Sequence, residues 1–123
     1  MTRVATVEVE RLTVDEEEVD GIPVLSVHGD LDIGTAARLC ARIDAARRQW
    51  VRALVLDLSD TGFCDSTGLR ALAGADRELA VQRARMAVVV PPSGPVARLF
   101  DVSGAYELLE VHRTRAEALA AMR

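Results

Sequence analysis

Two uninterrupted apolar runs constrain this chain more than any other feature. Ala53-Leu54-Val55-Leu56 and Met86-Ala87-Val88-Val89-Val90 contain no polar residue. A strand with one wet face alternates apolar and polar residues, whereas a strand covered on both faces does not. Each run leads, through a polar stretch, into a segment with helical spacing. The second run stops at Pro91-Pro92. Parallel strands need crossover connections, usually helices, so the pattern predicts an α/β sheet with helices packed against it.

The rest of the chain supports that frame. Residues 1–19 alternate apolar and charged side chains, through Val7, Val9, Leu12 and Val14, which is the period of a half-exposed strand. The run Asp15-Glu16-Glu17-Glu18 reads as a solvated strand end or edge. Asp20-Gly21 predicts a tight hairpin turn into a second strand, Val24 to His28. Ala36, Leu39, Cys40, Ile43 and Ala46 recur at spacings of three and four, with Asp32 or Thr35 placed to cap the helix. A strand over 51–58 is followed by a loop at 59–65. A helix over 66–82 carries Leu69, Leu72, Ala73, Leu79 and Ala80 on its apolar stripe. A short helix over 95–102, a strand over 108–111 and a last helix capped by Thr114 complete the order, with Ala116, Leu119 and Ala120 on the last helix's apolar face. The expected succession is β-β-α-β-α-β-α-β-α, in one domain of 123 residues.

Composition removes several function classes. All fifteen basic residues are arginine, so a Schiff-base or phosphate-loop lysine is excluded. The net charge of −4 and the scattered arginines argue against nucleic-acid binding. No apolar stretch reaches the ~20 residues of a membrane span, and no signal peptide is visible, so the expected compartment is the cytoplasm without membrane insertion. Cys40 and Cys64 do not form a disulfide framework or a metal spacing, and no cofactor loop is present.

Two polar segments stand out against the apolar background. The first is Asp57-Leu58-Ser59-Asp60-Thr61-Gly62-Phe63-Cys64-Asp65-Ser66-Thr67-Gly68-Leu69, between a buried strand and a helix, the edge where ligands gather in open α/β sheets. Residue types alone leave three readings of Ser66: a helix cap, a phosphoacceptor or a catalytic serine. A nucleophile would need a base, and neither His28 nor His112 lies in a nucleophile pattern. A phosphate on Ser66 would sit at a helix N-terminus, where unpaired N–H groups favour negative charge. The second segment is Gly29-Asp30-Leu31-Asp32-Ile33-Gly34-Thr35. Its Asp-x-Asp pattern weakly matches a phosphatase nucleophile loop, but Ile33 stands where Gly is usual. The missing lysine counts against that reading and against a receiver domain with Asp57 as acceptor.

Taken together and in this order, these segments resemble the STAS domain of anti-sigma factor antagonists. The family's Gly-Glu-Leu-Asp appears as Gly29-Asp30-Leu31-Asp32, followed by Thr35-Ala36. Its acceptor loop appears as Phe63-Cys64-Asp65-Ser66-Thr67-Gly68-Leu69, and Val96 to Gly104 looks like its third-helix segment. The resemblance implies a STAS-like mixed sheet of four to five strands with about four helices over residues 12–123, with 1–11 an extension or extra strand. It implies a non-enzymatic partner switch without a cofactor. The unmodified protein would bind an anti-sigma factor serine kinase, phosphorylation at Ser66 would release it, and a PP2C-type phosphatase would reset the cycle. Asp30, Asp32, Thr35, Asp65, Ser66, Thr67, Gly68 and Leu69 would form the partner-binding site. Domains of this kind also serve as scaffolds or as soluble partners of transporters, which is the alternative function.

Overall fold

The computed structural model describes residues 10–47 and 51–123. Val7 and Val9 lie outside them, and the first described strand is β1, Leu12–Val19. It runs antiparallel to β2, Ile22–Leu31, with Val19 opposite Ile22. The two residues between them, Asp20 and Gly21, both have positive φ, 52° and 79°. That backbone matches the right-handed twist of the flanking strands, as the Asp-Gly pair predicts.

The chain then alternates. Helix α1 spans Ala36–Arg47, β3 Ala53–Asp57, β4 Thr61–Cys64, α2 Ser66–Val81 and β5 Arg85–Val89. Helices α3 (Pro95–Ser103) and α4 (Ala105–Leu108), strand β6 (Glu110–His112) and helix α5 (Arg115–Met122) follow. The sheet is mixed and six-stranded, in the order β1-β2-β3-β5-β6, with β4 paired to β2 beyond the end of β3. All pairs except β1–β2 are parallel.

The expected fold class holds, with more elements than the sequence suggested. The stretch expected as a loop at 59–65 contains β4. It lacks an apolar run because Gly62 and Phe63 are exposed, and it is a strand only because Leu31 and Asp30 supply its pairing partners. The third helical region divides at Gly104, whose φ of 75° ends α3 and leaves α4 as a separate turn.

Strand alternation sends two sets of side chains to opposite faces. Leu25, Val27, Leu54, Leu56, Met86 and Val88 join Leu39, Ile43, Leu72, Leu79 and Phe100 in the larger core under α1, α2 and α3. Val24, Val55, Ala87 and Val89 pack on the other face against Ala118, Leu119 and Met122 of α5. Ala116 and Ala120 are exposed, so α5 is turned from the expected face. Thr114 caps it as expected, accepting the Glu117 N–H at 3.1 Å. Beyond the apolar residues the same strand rows become polar. Arg115 binds Asp57, Ser26 and Glu17 there, tying the start of α5 to three strands.

The acidic run of β1 lies on a sheet edge, as expected, with Asp15 to Glu18 exposed. His28 is half-buried between Asp15 and Asp60, at 3.0 and 3.6 Å. His112 is held by Glu110 at 3.0 Å. None of the helices among the described residues is long and apolar enough to cross a membrane.

Candidate functional site at the β2 and β4 ends

The site forms where β2 and β4 end side by side. Leu31 pairs with Cys64, and the Leu31 carbonyl accepts the Asp65 N–H at 3.2 Å. This pairing brings the two polar segments, over thirty positions apart in the chain, to one edge of the sheet.

Asp65 is the N-cap of α2. Its backbone is extended and its Oδ1 accepts the Gly68 N–H at 2.8 Å. A carboxylate there satisfies one of the unpaired N–H groups of the first turn and opposes the positive end of the helix dipole. Ser66 is therefore the first helical residue rather than the cap. It is exposed, and its hydroxyl has no hydrogen-bond partner among the described residues. Thr67 beside it is half-buried.

Gly68 and Leu69 face inward. Gly68 is pressed against the Leu31 backbone, and Leu69 joins the larger core. Two exposed apolar side chains flank the edge: Phe63 at 46% and Ile33 at 80% exposure.

The loop after β2 is built around Asp32. Its Oδ1 accepts the Gly34 N–H at 2.9 Å, and its own N–H donates to Thr35 Oγ1 at 3.0 Å. Thr35 is buried and donates its hydroxyl proton to the Asp30 carbonyl at 2.7 Å. Asp32 thus caps the turn that leads into α1, as expected: its carbonyl accepts the Ala36 N–H at 2.9 Å while its Oδ1 holds the Gly34 N–H. The guanidinium of Arg11 forks onto the Asp32 carboxylate. Those hydrogen bonds hold the carboxyl below its ordinary range despite the opposing effect of burial.

The eight site residues expected from the sequence thus divide by exposure. Ser66 is exposed, while Asp30, Asp32, Asp65 and Thr67 are half-buried along the edge. Thr35, Gly68 and Leu69 are buried and shape the edge from beneath. Sequence reasoning missed Arg11, which it left in an extension. Phe63 and Ile33 stand in the two polar segments, where residue type alone gives them no role. Their signal was apolar character inside otherwise polar loops.

Of the rival acidic residues, Asp32 and Asp57 are engaged by neighbours. Both Asp32 oxygens are engaged by Arg11, and Oδ1 by Gly34 as well. Asp57 accepts from the Ser59 N–H, the Ser59 hydroxyl and Arg115.

Among the described residues, strands that are parallel after the opening hairpin carry α1, α2 and α3 on one face and α5 on the other, with Ser66 exposed at the start of α2. The chain belongs to the STAS domain family, whose model matches residues 13–118. It is 30% identical over 110 residues to the anti-sigma F factor antagonist of Paenibacillus polymyxa, covering 88% of this chain and 92% of that one. The crystal structure of an anti-sigma factor antagonist from Mycobacterium paratuberculosis superposes with a TM-score of 0.80 at 33% identity, covering 91% of this chain and 94% of that one. SpoIIAA of Bacillus in its phosphorylated form is similar at 25% identity and a TM-score of 0.63, covering 90% of this chain and all (100%) of that one.

Proposed function

We propose that the chain is an anti-sigma factor antagonist whose hold on its partner is set by phosphorylation of Ser66. The observation that carries this reading is the division of labour between Asp65 and Ser66. The aspartate caps the helix, which leaves the serine hydroxyl exposed and unbonded at its start. The relatives named as antagonists, and SpoIIAA solved in a phosphorylated form, support it.

The partner is an anti-sigma factor with serine kinase activity. It docks on the edge formed by Ile33, Phe63 and the start of α2, where apolar side chains stand in solvent. In the transfer step Ser66 Oγ forms a bond to the γ-phosphorus of kinase-bound ATP. The bond to ADP breaks, and the hydroxyl proton passes to a base supplied by the kinase. The product carries about −1.5 to −2 charge at a helix N-terminus, which stabilises it. The helix is therefore preserved, and the effect falls on the partner, whose apolar and carboxylate-facing contacts now meet a dianion. A PP2C-type phosphatase restores the hydroxyl. In this cycle the domain is a substrate and a binding partner, and it requires no cofactor.

The test uses the anti-sigma factor recovered from the native host with the Ser66→Ala chain. Incubation of the wild-type chain with that kinase and ATP, mapped by mass spectrometry, is expected to place one phosphate on Ser66. Ser66→Asp is expected to weaken the complex in calorimetry. Phosphate on Thr67 or nowhere, or unchanged affinity for Ser66→Asp, would overturn the reading.

A further inference from the structure

Arg11 lies just before β1 and outside the residues matched by the family model, 13–118. Its side chain is nonetheless built into the site. Nη1 donates to Asp32 Oδ2 at 2.5 Å and Nη2 to Oδ1 at 3.2 Å. Its carbonyl accepts the Asp30 N–H at 2.7 Å.

Two glycines make room for this residue. A β-carbon on Gly29, which holds φ at +100°, would stand 2.0 Å from the Arg11 carbonyl oxygen. A β-carbon on Gly34 would stand 2.4 Å from Arg11 Nη2. The Gly29 contact is with Arg11 backbone, whereas a β-carbon on Gly34 would meet only the movable tip of the guanidinium.

The charges around the acceptor explain what such a residue does. Asp30 and Asp32 come from the end of β2, and Asp65 from the cap of α2. Against them stand Arg11 and, one helical turn after Ser66, the exposed Arg70. Asp32 follows Leu31, whose carbonyl binds the Asp65 N–H at 3.2 Å, and Ser66 follows Asp65. Standard chain dimensions then place the Asp32 and Ser66 backbones within about 12 Å. That is close to the screening length of ~10 Å at moderate salt, so charges there act on one another.

We propose that Arg11 is the countercharge of the phosphorylated switch, neutralising Asp32 so that a dianionic phosphate is tolerated on Ser66. The inference rests on the reading of Ser66 as the phosphosite. The Arg11 side chain is half exposed and uses one N–H of each terminal nitrogen on Asp32, which leaves donors facing solvent.

The test is the second ionisation of a phosphoserine installed at position 66 during translation, followed by phosphorus NMR in the full chain. Arg11→Met is expected to raise that pKa by about 0.3 unit or more at low salt, as the Coulomb energy of one charge at ~10 Å in water implies. Arg11→Lys should restore most of it. Asp32→Asn should move the pKa in the opposite direction, because it frees the cation. Salt at about 1 M should shrink all of these shifts. Circular dichroism establishes that each variant is folded. An unchanged phosphate pKa in Arg11→Met, or shifts of the same sign in Arg11→Met and Asp32→Asn, would overturn the proposal. If the expected shifts appear while the cognate kinase leaves Ser66 untouched, the phosphosite reading falls and the charge coupling stands.

Discussion

Gly68 lies so close to Leu31 that a β-carbon on it would stand 2.5 Å from the Leu31 carbonyl oxygen and 2.8 Å from its Cγ. This contact locks the start of α2 to the end of β2, and with it the Asp65-Ser66 segment to the Asp32 loop. Backbone cannot yield as a flexible side-chain tip can. Gly68→Ala is therefore expected to destabilise the chain by about 1–3 kcal/mol, as overpacking does. A urea midpoint within error of wild type would show that α2 lifts off at no cost.

The roles of Asp65 and Ser66 should separate cleanly by mutation. Asp65→Ala removes the carboxylate that accepts the Gly68 N–H and is expected to cost about 1 kcal/mol. Ser66→Ala removes an exposed hydroxyl without a partner and should stay within about 0.5 kcal/mol of wild type. Thermal denaturation of the two variants checks this. A larger loss for Ser66→Ala than for Asp65→Ala would return Ser66 to a capping role.

Acid should weaken the fold in part through Asp32. The Arg11 hydrogen bonds hold its folded-state pKa below the ordinary value. A depressed carboxylate stabilises the fold fully above its unfolded pKa of about 3.9, and the contribution fades as pH falls through the lower folded value. Glu110 acts in the same direction: burial pushes its carboxyl up, but hydrogen bonds from His112 and Arg85 outweigh it. The urea midpoint of the wild type is expected to fall between about pH 5 and pH 2, and less steeply in Asp32→Asn. Parallel profiles would mean that Arg11 and Asp32 are not paired in solution.

Cys64 is expected to be chemically silent. Burial, reinforced by the neighbouring Asp65 charge, pushes its thiol up to about 12. The reactive thiolate is then about one part in ten thousand at pH 8. Burial also raises the Cys40 thiol, aided by Glu78 and Asp44. Iodoacetamide at pH 8, read by mass spectrometry, should leave Cys64 intact in the folded chain and modify both cysteines in urea. Rapid modification of folded Cys64 would place its thiol at the surface.

Much of the scaffold was legible because its signals are local. The Asp20-Gly21 turn, the doubly buried β3 and β5, the start of α2 at Ser66 and the Thr114 cap all follow from residue type and spacing. What escaped depended on neighbours. Strand β4 has exposed Gly62 and Phe63 and forms through its pairing with β2. Helix α5 buries Ala118 and Met122 instead of Ala116 and Ala120, because a short alanine-rich helix carries little periodic contrast. At the site, the Asp65-Ser66-Thr67-Gly68-Leu69 motif was visible in the chain, yet residue types alone left Ser66 open between a helix cap and a free hydroxyl, whether phosphoacceptor or nucleophile. The Asp65 side chain on the Gly68 N–H decides between those two.

The sequence by itself determined the succession of strands and helices, the two polar loops and the residues at their centres. Backbone periodicity and turn chemistry act over a few residues, so they can be read along the chain. Only the tertiary structure decided that Arg11 meets Asp32, twenty-one positions on. That meeting depends on the β1–β2 register, with Leu12 opposite Gly29, and on room left by Gly29 and Gly34. Register is set by the packing of whole faces, and a side chain finds its partner only after that packing is complete.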